Sequence, residues 1–306
     1  MIHVITRGGL GNQMFQYAYA LRLLLANDEQ KIVLNGGLHA WSRDQRQLGL
    51  NHFQLTEGTR VCTGVSALFY FILFVAGMVR VTGVKTLLKM LKFDRSTLSL
   101  YREALLARGK YCPVDSYEMP PVAKNPGMKH LYGYFQSPDV VKGIENELRR
   151  AFEVKTPASP ENAAMLREIQ SQNAVCLHVR RGDYGLYPQY QVCDGHYYQE
   201  AVAQACDVLK NPVFYVFSTG HDDLEWVKAN YHFDAEVRYV DLENPDFEEL
   251  RLMMACRHFI IANSTFSWWA AVLSSAAGND KQVWAPAEWL KDSPVCMNMD
   301  TWHVVR

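Results

Sequence analysis

Between Ala174 and Trp284, short apolar runs alternate with longer segments of helical period, and this alternation leaves the chain few folds to choose from. Ala174–Val179, Val213–Ser218, Val237–Val240, Phe259–Ala262 and Gln282–Trp284 read as strands. Tyr197–Lys210, Asp223–Tyr231, Phe247–Cys256 and a segment starting near Phe266 read as the helices between them. Strands buried on both faces show as continuous apolar runs, and strands joined through helices pair in parallel. The expected architecture is therefore a doubly wound α/β domain with its ligand at the carboxyl ends of the strands. The N-terminus opens in the same way. A strand at His3–Thr6 leads through the glycine loop Arg7–Asn12 to a helix over Gln13–Leu25, with Asn12 as its N-cap, and to a second strand at Lys31–Leu34.

Residues 60–110 read as helical, residues 111–130 as loop, His130–Gln136 as a strand entering a turn at Ser137-Pro138, and Val140–Glu153 as a charged helix. The Pro- and Ser-rich stretch Lys155–Pro160 marks a boundary. The 306 residues thus divide into two α/β domains, 1–157 and 158–306, with a ligand cleft expected between them.

A formal net charge of −1 gives no basic field for nucleic acid. Seven cysteines without a Cys-x-x-Cys pair, several inside apolar runs, fit reduced core thiols in a cytosol. Met1–Ile5 runs directly into a strand without the basic and apolar regions of a signal peptide, so a cytoplasmic location is expected. Val61–Val79 carries no charge and is followed by Arg80, Lys85, Lys89 and Lys92. With Gly64, Ser66 and Gly77 inside it, and one domain on both sides of it, it reads as a core helix or an interfacial helix rather than a span. Residues 61–92 are the expected place of any peripheral contact with a cytoplasmic membrane face.

The chemistry concentrates in three places. His178-Val179-Arg180-Arg181-Gly182-Asp183 follows a buried strand, where desolvated charges need partners. A diphosphate is such a partner for arginine's planar fork of donors, and a surface Arg–Asp pair closing a turn is the bland alternative. Asn263-Ser264-Thr265-Phe266-Ser267-Trp268-Trp269 ends a strand and starts a helix, whose N–H groups and hydroxyls suit an anion or simply cap the helix. Glu248 and Glu249 begin a further helix, where acids favour the dipole; Glu249 is also a candidate acceptor for the N1–H and N2–H edge of guanine. The Asn263-Ser264-Thr265 sequon and the Arg181-Gly182-Asp183 tripeptide carry little weight.

Two common chemistries, hydride transfer and P-loop nucleotide hydrolysis, lose ground on the motifs. Gly9-Leu10-Gly11-Asn12-Gln13-Met14 has Met14 where a dinucleotide fingerprint needs its third glycine, and Asn35 stands where the ribose-binding acid belongs. No Gly-Lys-Ser/Thr phosphate loop occurs, and no Asp-x-Asp, His-x-x-x-His or Cys/His cluster offers a metal site.

Taken in order, Gly8–Ala18, Gly133–Ser137, His178–Tyr184, Leu252–Cys256 and Asn263–Trp269 resemble the α-1,2-fucosyltransferases of bacteria, glycosyltransferase family 11. The His-x-Arg-Arg-x-Asp segment is similar to that of protein O-fucosyltransferases and α-1,6-fucosyltransferases. The likeness is weakest over residues 38–128 and 185–195.

The resemblance implies a GT-B fold of two Rossmann-like domains, an N-terminal acceptor-side domain and a C-terminal domain binding GDP-fucose. It implies inverting transfer of fucose to the 2-hydroxyl of a terminal β-galactoside (lactose, N-acetyllactosamine or a polysaccharide repeat unit) with no cofactor and no metal. Arg180 would neutralise the departing β-phosphate. His178, Arg181, Glu249, Asn263, Ser264, Thr265, Phe266 and Ser267 would bind the donor. Asp183 would act beside Arg180, in the catalytic set or orienting it. Gly11, Asn12, Gln13 and Tyr134 would face acceptor and fucose.

The proton acceptor stays open among Asp183, Asp194, His196, Asp44, His39 and the leaving phosphate. The rival readings are a fucosyltransferase of another acceptor or linkage, protein O- or α-1,6-, and a non-catalytic glycan-binding or adhesion protein.

Overall fold

The structure, a computed structural model, describes residues 1–27, 31–41, 47–84, 95–124, 127–274 and 280–306. The chain divides into two compact units, Met1–Glu153 and Val154–Arg306.

The first unit is built on a five-stranded sheet of β1 (Ile2–Ile5), β2 (Ile32–Asn35), β3 (Arg60–Cys62), β4 (Lys110–Tyr111) and β5 (Lys129–Leu131). Its strand order is β3-β2-β1-β5-β4 and every pair is parallel. The chain moves outward from β1 through β2 to β3, then returns to the other side of β1. The order therefore reverses between β1 and β5, the kind of switch point at which α/β sheets open a crevice.

Helix α1 (Leu10–Ala26) has Met14, Phe15, Tyr17, Ala18, Tyr19, Leu21 and Leu23 buried, so nearly its whole circumference is core. Helices α2 (Gly64–Thr82) and α3 (Arg95–Leu106) cluster Phe74, Met78, Leu98 and Leu105 around Ile5 and Cys112. A short helix α4 (Glu145–Ala151) closes the unit.

Three expectations are corrected here. Asn12 does not cap α1. The left-handed turn at Gly8 (φ 77°) lets the helix begin three residues earlier, with Gly9 as N-cap accepting from the N–H groups of Asn12 and Gln13. Among the described residues of the segment 60–110, helices α2 and α3 are flanked by the short strands β3 and β4. The strand expected over 130–136 stops at Leu131, because Gly133 (φ 156°) and Phe135 (φ 57°) turn the chain out of the sheet. A Cβ on Gly133 would lie 2.5 Å from Pro113 Cγ, so only glycine fits.

The second unit carries β6 (Asn173–His178), β7 (Pro212–Phe217), β8 (Glu236–Tyr239), β9 (His258–Ile260), β10 (Val283–Pro286) and β11 (His303–Val305). Their order is β11-β10-β9-β6-β7-β8, again all parallel. Helices α5 (Pro160–Ser171), α6 (Gly195–Val208), α7 (Gly220–Asn230), α8 (Asp246–Ala255) and α9 (Thr265–Leu273) connect and cover them. The switch point falls between β6 and β9. Trp268, Trp269 and Trp284 are fully buried, as core residues rather than sugar platforms.

Observed strands start within a residue or so of the apolar runs. In the second unit a helix and a strand are additional to the expected set. Helix α5 starts inside the boundary stretch, with Ser159 Oγ accepting from the Asn162 N–H and Pro160 at its first position. Strand β11 adds a three-residue edge beside β10.

Candidate functional site

In the second unit, the carboxyl ends of β9, β6, β7 and β8 bring together segments far apart in sequence. β6 delivers His178 and Arg180. Arg180 Nη1 donates to Thr219 Oγ1 at 3.1 Å, and its guanidinium lies over the Tyr184 ring at 5.2 Å. Tyr184 is itself fixed by a hydrogen bond from its hydroxyl to the Asn263 carbonyl at 3.1 Å. The loop after β6 is further held by Asp223, whose carboxylate accepts from the Gly182 N–H at 2.9 Å. Arg180 is thus a partly exposed cation oriented by a hydroxyl and an aromatic face. An anion binding there meets a positioned charge.

His178 is buried, and its Nδ1 has no hydrogen-bond partner among the described residues. Burial, with Arg180 beside it, lowers its pKa to about 3, so the ring is neutral at physiological pH. A buried ring nitrogen without a partner is costly unless a ligand completes it. The ring lies 6.1 Å from that of Phe266, at the start of α9 on the neighbouring strand end.

Helix α9 starts at the switch point itself. Ser264 caps it by accepting from the Phe266 N–H, and Ser267 Oγ donates to the Ser264 carbonyl. The first-turn N–H groups of such a helix attract anions. Asn263 serves the scaffold: its amide donates to the carbonyls of Tyr190 and Trp289, both at 3.0 Å. Arg181 points elsewhere than Arg180, stacking over Trp226 of α7 at 3.2 Å. The side chain of Asp183, and Asp44, lie outside the described residues. Asp194 caps α6, accepting from the Tyr197 N–H at 3.0 Å, while His196 is exposed on that helix.

A small open-sided pocket adjoins, lined by Ser218, Gly220, His221, Asp241, Asn244 and Glu249 among others. Glu249 is the partly buried acid of the pair that opens α8. Burial and the nearby Asp246 push its pKa up to about 8, against the opposing pull of Arg180. Its neighbour Glu248 instead pairs with Arg251 at 3.3 Å. Once ionised, the Glu249 carboxylate in that lining can accept from a planar ligand edge with paired N–H donors.

The sequence reading missed Thr219, Tyr184, His221 and Asp241. Their signal was position: Tyr184 lies in the loop after β6, Thr219 and His221 follow the end of β7, and Asp241 follows the end of β8. His221 and Asp241 pair at 2.7 Å, and with Glu225 they are the one triad among the described residues whose ligand atoms lie close enough to hold a metal. All three are exposed.

The first unit repeats the logic at its own switch point. Gln136 Nε2 donates to Asn12 Oδ1 at 2.7 Å, Gln16 Nε2 donates to the Gly133 carbonyl at 2.9 Å, and Arg7 lies over the Tyr134 ring at 4.7 Å. The Gly8–Asn12 loop and the Gly133–Gln136 loop are thereby joined into one surface. Gly8 permits it, since a Cβ there would sit 2.7 Å from Asn12 Nδ2. Gln13, expected to face the acceptor, is fully buried: it donates to the carbonyls of Gly8 and Gln47 and accepts from the Gly49 N–H, each at 2.9 Å. Gly11 is buried and Asn12 partly exposed. His39 lies in a short 3₁₀ turn of this unit.

The family model of glycosyl transferase family 11 matches residues 116–296, more than half of the chain, and that range includes the loop after β5 and the loop after β6. The chain is 29% identical to the O-antigen biosynthesis glycosyltransferase WbnK of Escherichia coli, over 96% of this chain and 97% of that one. It is 28% identical to an alpha-1,2-colitosyltransferase of Escherichia coli, over 88% and 86% respectively. It is 29% identical to galactoside alpha-(1,2)-fucosyltransferase 2 of Pongo pygmaeus, over 54% and 49%.

Among solved structures, the fucosyltransferase NodZ from Bradyrhizobium superposes with a TM-score of 0.53 at 14% identity, covering 89% of this chain and 92% of that one. NodZ α-1,6-fucosyltransferase co-crystallised with GDP gives 0.54 at 13% identity over the same shares. These likenesses are of fold, the GT-B fold of two Rossmann-like units. The chain belongs to glycosyl transferase family 11.

Proposed function

We propose that the chain is an inverting transferase that moves L-fucose from GDP-β-L-fucose to the 2-hydroxyl of a terminal β-galactoside without a metal ion. The observation that carries this reading is Arg180: a cation at the switch point, next to an anion-attracting helix start and a pocket whose lining includes Glu249. As the acceptor oxygen bonds to fucose C1, the bond from C1 to the β-phosphate oxygen breaks on the opposite face, and GDP leaves with the electron pair. Arg180 neutralises the charge that develops there, aided by the α9 N-terminus with Ser264, Thr265 and Phe266. A cation supplied by the chain takes the place that a divalent ion holds in metal-dependent transferases.

Glu249 would bind the guanine edge, and the bare Nδ1 of His178 would meet the nucleotide. The surface of Asn12, Tyr134 and Gln136 would receive the acceptor. Asn12 does not ionise, so the departing phosphate is the natural proton acceptor, with Asp183 as the side-chain alternative.

A second reading replaces fucose by colitose, because a relative aligned over 88% of this chain is named for colitose transfer. The test is release of GDP from GDP-fucose on addition of lactose or N-acetyllactosamine, in EDTA, with the product linkage read by NMR. An α-1,2-fucosylated product supports the proposal. No release across a panel of galactosides, or turnover that EDTA abolishes and Mg²⁺ restores, overturns it.

A further inference from the structure

Helix α2 is apolar around its whole circumference, yet only one side of it meets the protein. Ala67, Phe74 and Met78 are buried against the first unit's sheet. The opposite side presents Val65 (85% exposed), Phe69 (57%), Ile72 (54%) and Leu68 (46%), spaced three and four residues apart. A soluble helix normally carries charge on that side; here no charged residue occurs from Gly64 to Val79. At 19 residues the helix is long enough to cross a bilayer, but its inner side is tied to the sheet. Asn35 Nδ2 donates to the Ala67 carbonyl at 2.8 Å, the Tyr70 ring lies 5.2 Å from that of His3, and Gly77 makes room for Lys110. A helix docked lengthwise on a sheet lies along a surface rather than through a membrane.

Charge singles out the surface. The sequence from Gly58 to Phe93 holds Arg60, Arg80, Lys85, Lys89 and Lys92 and no acid, in a chain whose net charge is −1. Arg60 and Arg80 are exposed at the two ends of the helical segment. An apolar stripe with a basic surround is complementary to anionic lipid, whereas a second copy of the chain would bring the same positive charge against itself.

We propose that the outer face of α2 docks on an anionic bilayer, seating Val65, Leu68, Phe69 and Ile72 at the depth of the headgroups. The full-length chain is mixed with vesicles of phosphatidylcholine alone or with about one-third phosphatidylglycerol, and the bound fraction is read by flotation. Binding is expected to the anionic vesicles. Raising salt from about 0.1 M to about 1 M, which shortens the Debye length from about 10 Å to about 3 Å, should weaken it roughly tenfold or more. A Phe69→Glu/Ile72→Glu variant should lose roughly tenfold or more of the binding, and the milder Phe69→Ser a smaller part, with thermal midpoint and GDP affinity unchanged. Absence of binding, equal and salt-insensitive binding to neutral vesicles, or binding untouched by both variants would overturn the proposal. So would a dimer in sedimentation that Phe69→Glu/Ile72→Glu dissociates, which would assign the face to self-association.

Discussion

Acidification should destabilise the first unit through two histidines buried under α2. His3 on β1 and His130 on β5 are hydrogen-bonded through their Nδ1 atoms at 2.9 Å. Asn35 fixes the tautomers. Its Oδ1 accepts from the Gly37 N–H at 2.9 Å, so its Nδ2 is the donor to His3 Nε2 at 3.0 Å. His3 therefore carries its proton on Nδ1 and donates it to His130, and both rings are neutral. Burial, and Lys110 nearby, lower His3 to about 4 and His130 to about 2. Unfolded histidine titrates near 6.5, so between that pH and the folded values the unfolded chain binds more protons. Stability is complete above about pH 6.5 and falls as the pH drops toward 4. At pH 5 each ring costs about 2 kcal/mol, and the pair about 4 kcal/mol, against a total of roughly 5–15 kcal/mol for a typical domain.

The assay is hydrogen exchange of peptides from β1 and β5 across pH 5–8, corrected for intrinsic rates, with the imidazole resonances followed by NMR. Protection should fall by about 4 kcal/mol toward pH 5, and the two rings should stay neutral in the folded state. Imidazoles titrating near pH 6.5, or protection independent of pH, would refute the buried neutral pair.

Two further outcomes follow from the sites. Because the raised carboxyl of Glu249 must ionise to accept from guanine, GDP affinity should rise with pH up to about 8, by at most tenfold per unit, with proton release in calorimetry; Glu249→Gln should abolish that dependence. Gly133→Ala, which forces a Cβ to 2.5 Å from Pro113 Cγ at φ 156°, should cost about 1–3 kcal/mol, read as a lower unfolding midpoint, and loosen the Asn12–Gln136 contact.

The central strands were legible because burial on both faces leaves unbroken apolar runs such as Cys176-Leu177 and Phe214-Tyr215-Val216. β4 and β5 were harder, since Lys110, Lys129 and His130 put polar side chains into buried strands, where partners from other segments surround them. Arg180 stood out because charge after an apolar strand is rare. Its difference from Arg181 was not legible: Thr219 and Trp226, which orient the two guanidiniums apart, lie some forty residues on. Gln13 and Asn263 looked like ligand-facing amides, yet their hydrogen bonds serve loops distant in sequence. Side-chain satisfaction of this kind belongs to the tertiary structure and leaves no local pattern.

Arg180 tests the account most directly. With Arg180→Ala, turnover of GDP-fucose in the presence of lactose or N-acetyllactosamine should fall roughly 10³-fold or more, since a preorganised cation on the leaving group is lost. The unfolding midpoint should hold, because the Arg180 side chain is partly exposed and lies outside the apolar core of the unit. Arg180→Lys, keeping charge without the fork, should retain an intermediate rate. Near-wild-type turnover by folded Arg180→Ala would contradict the assignment of the diphosphate to this strand end.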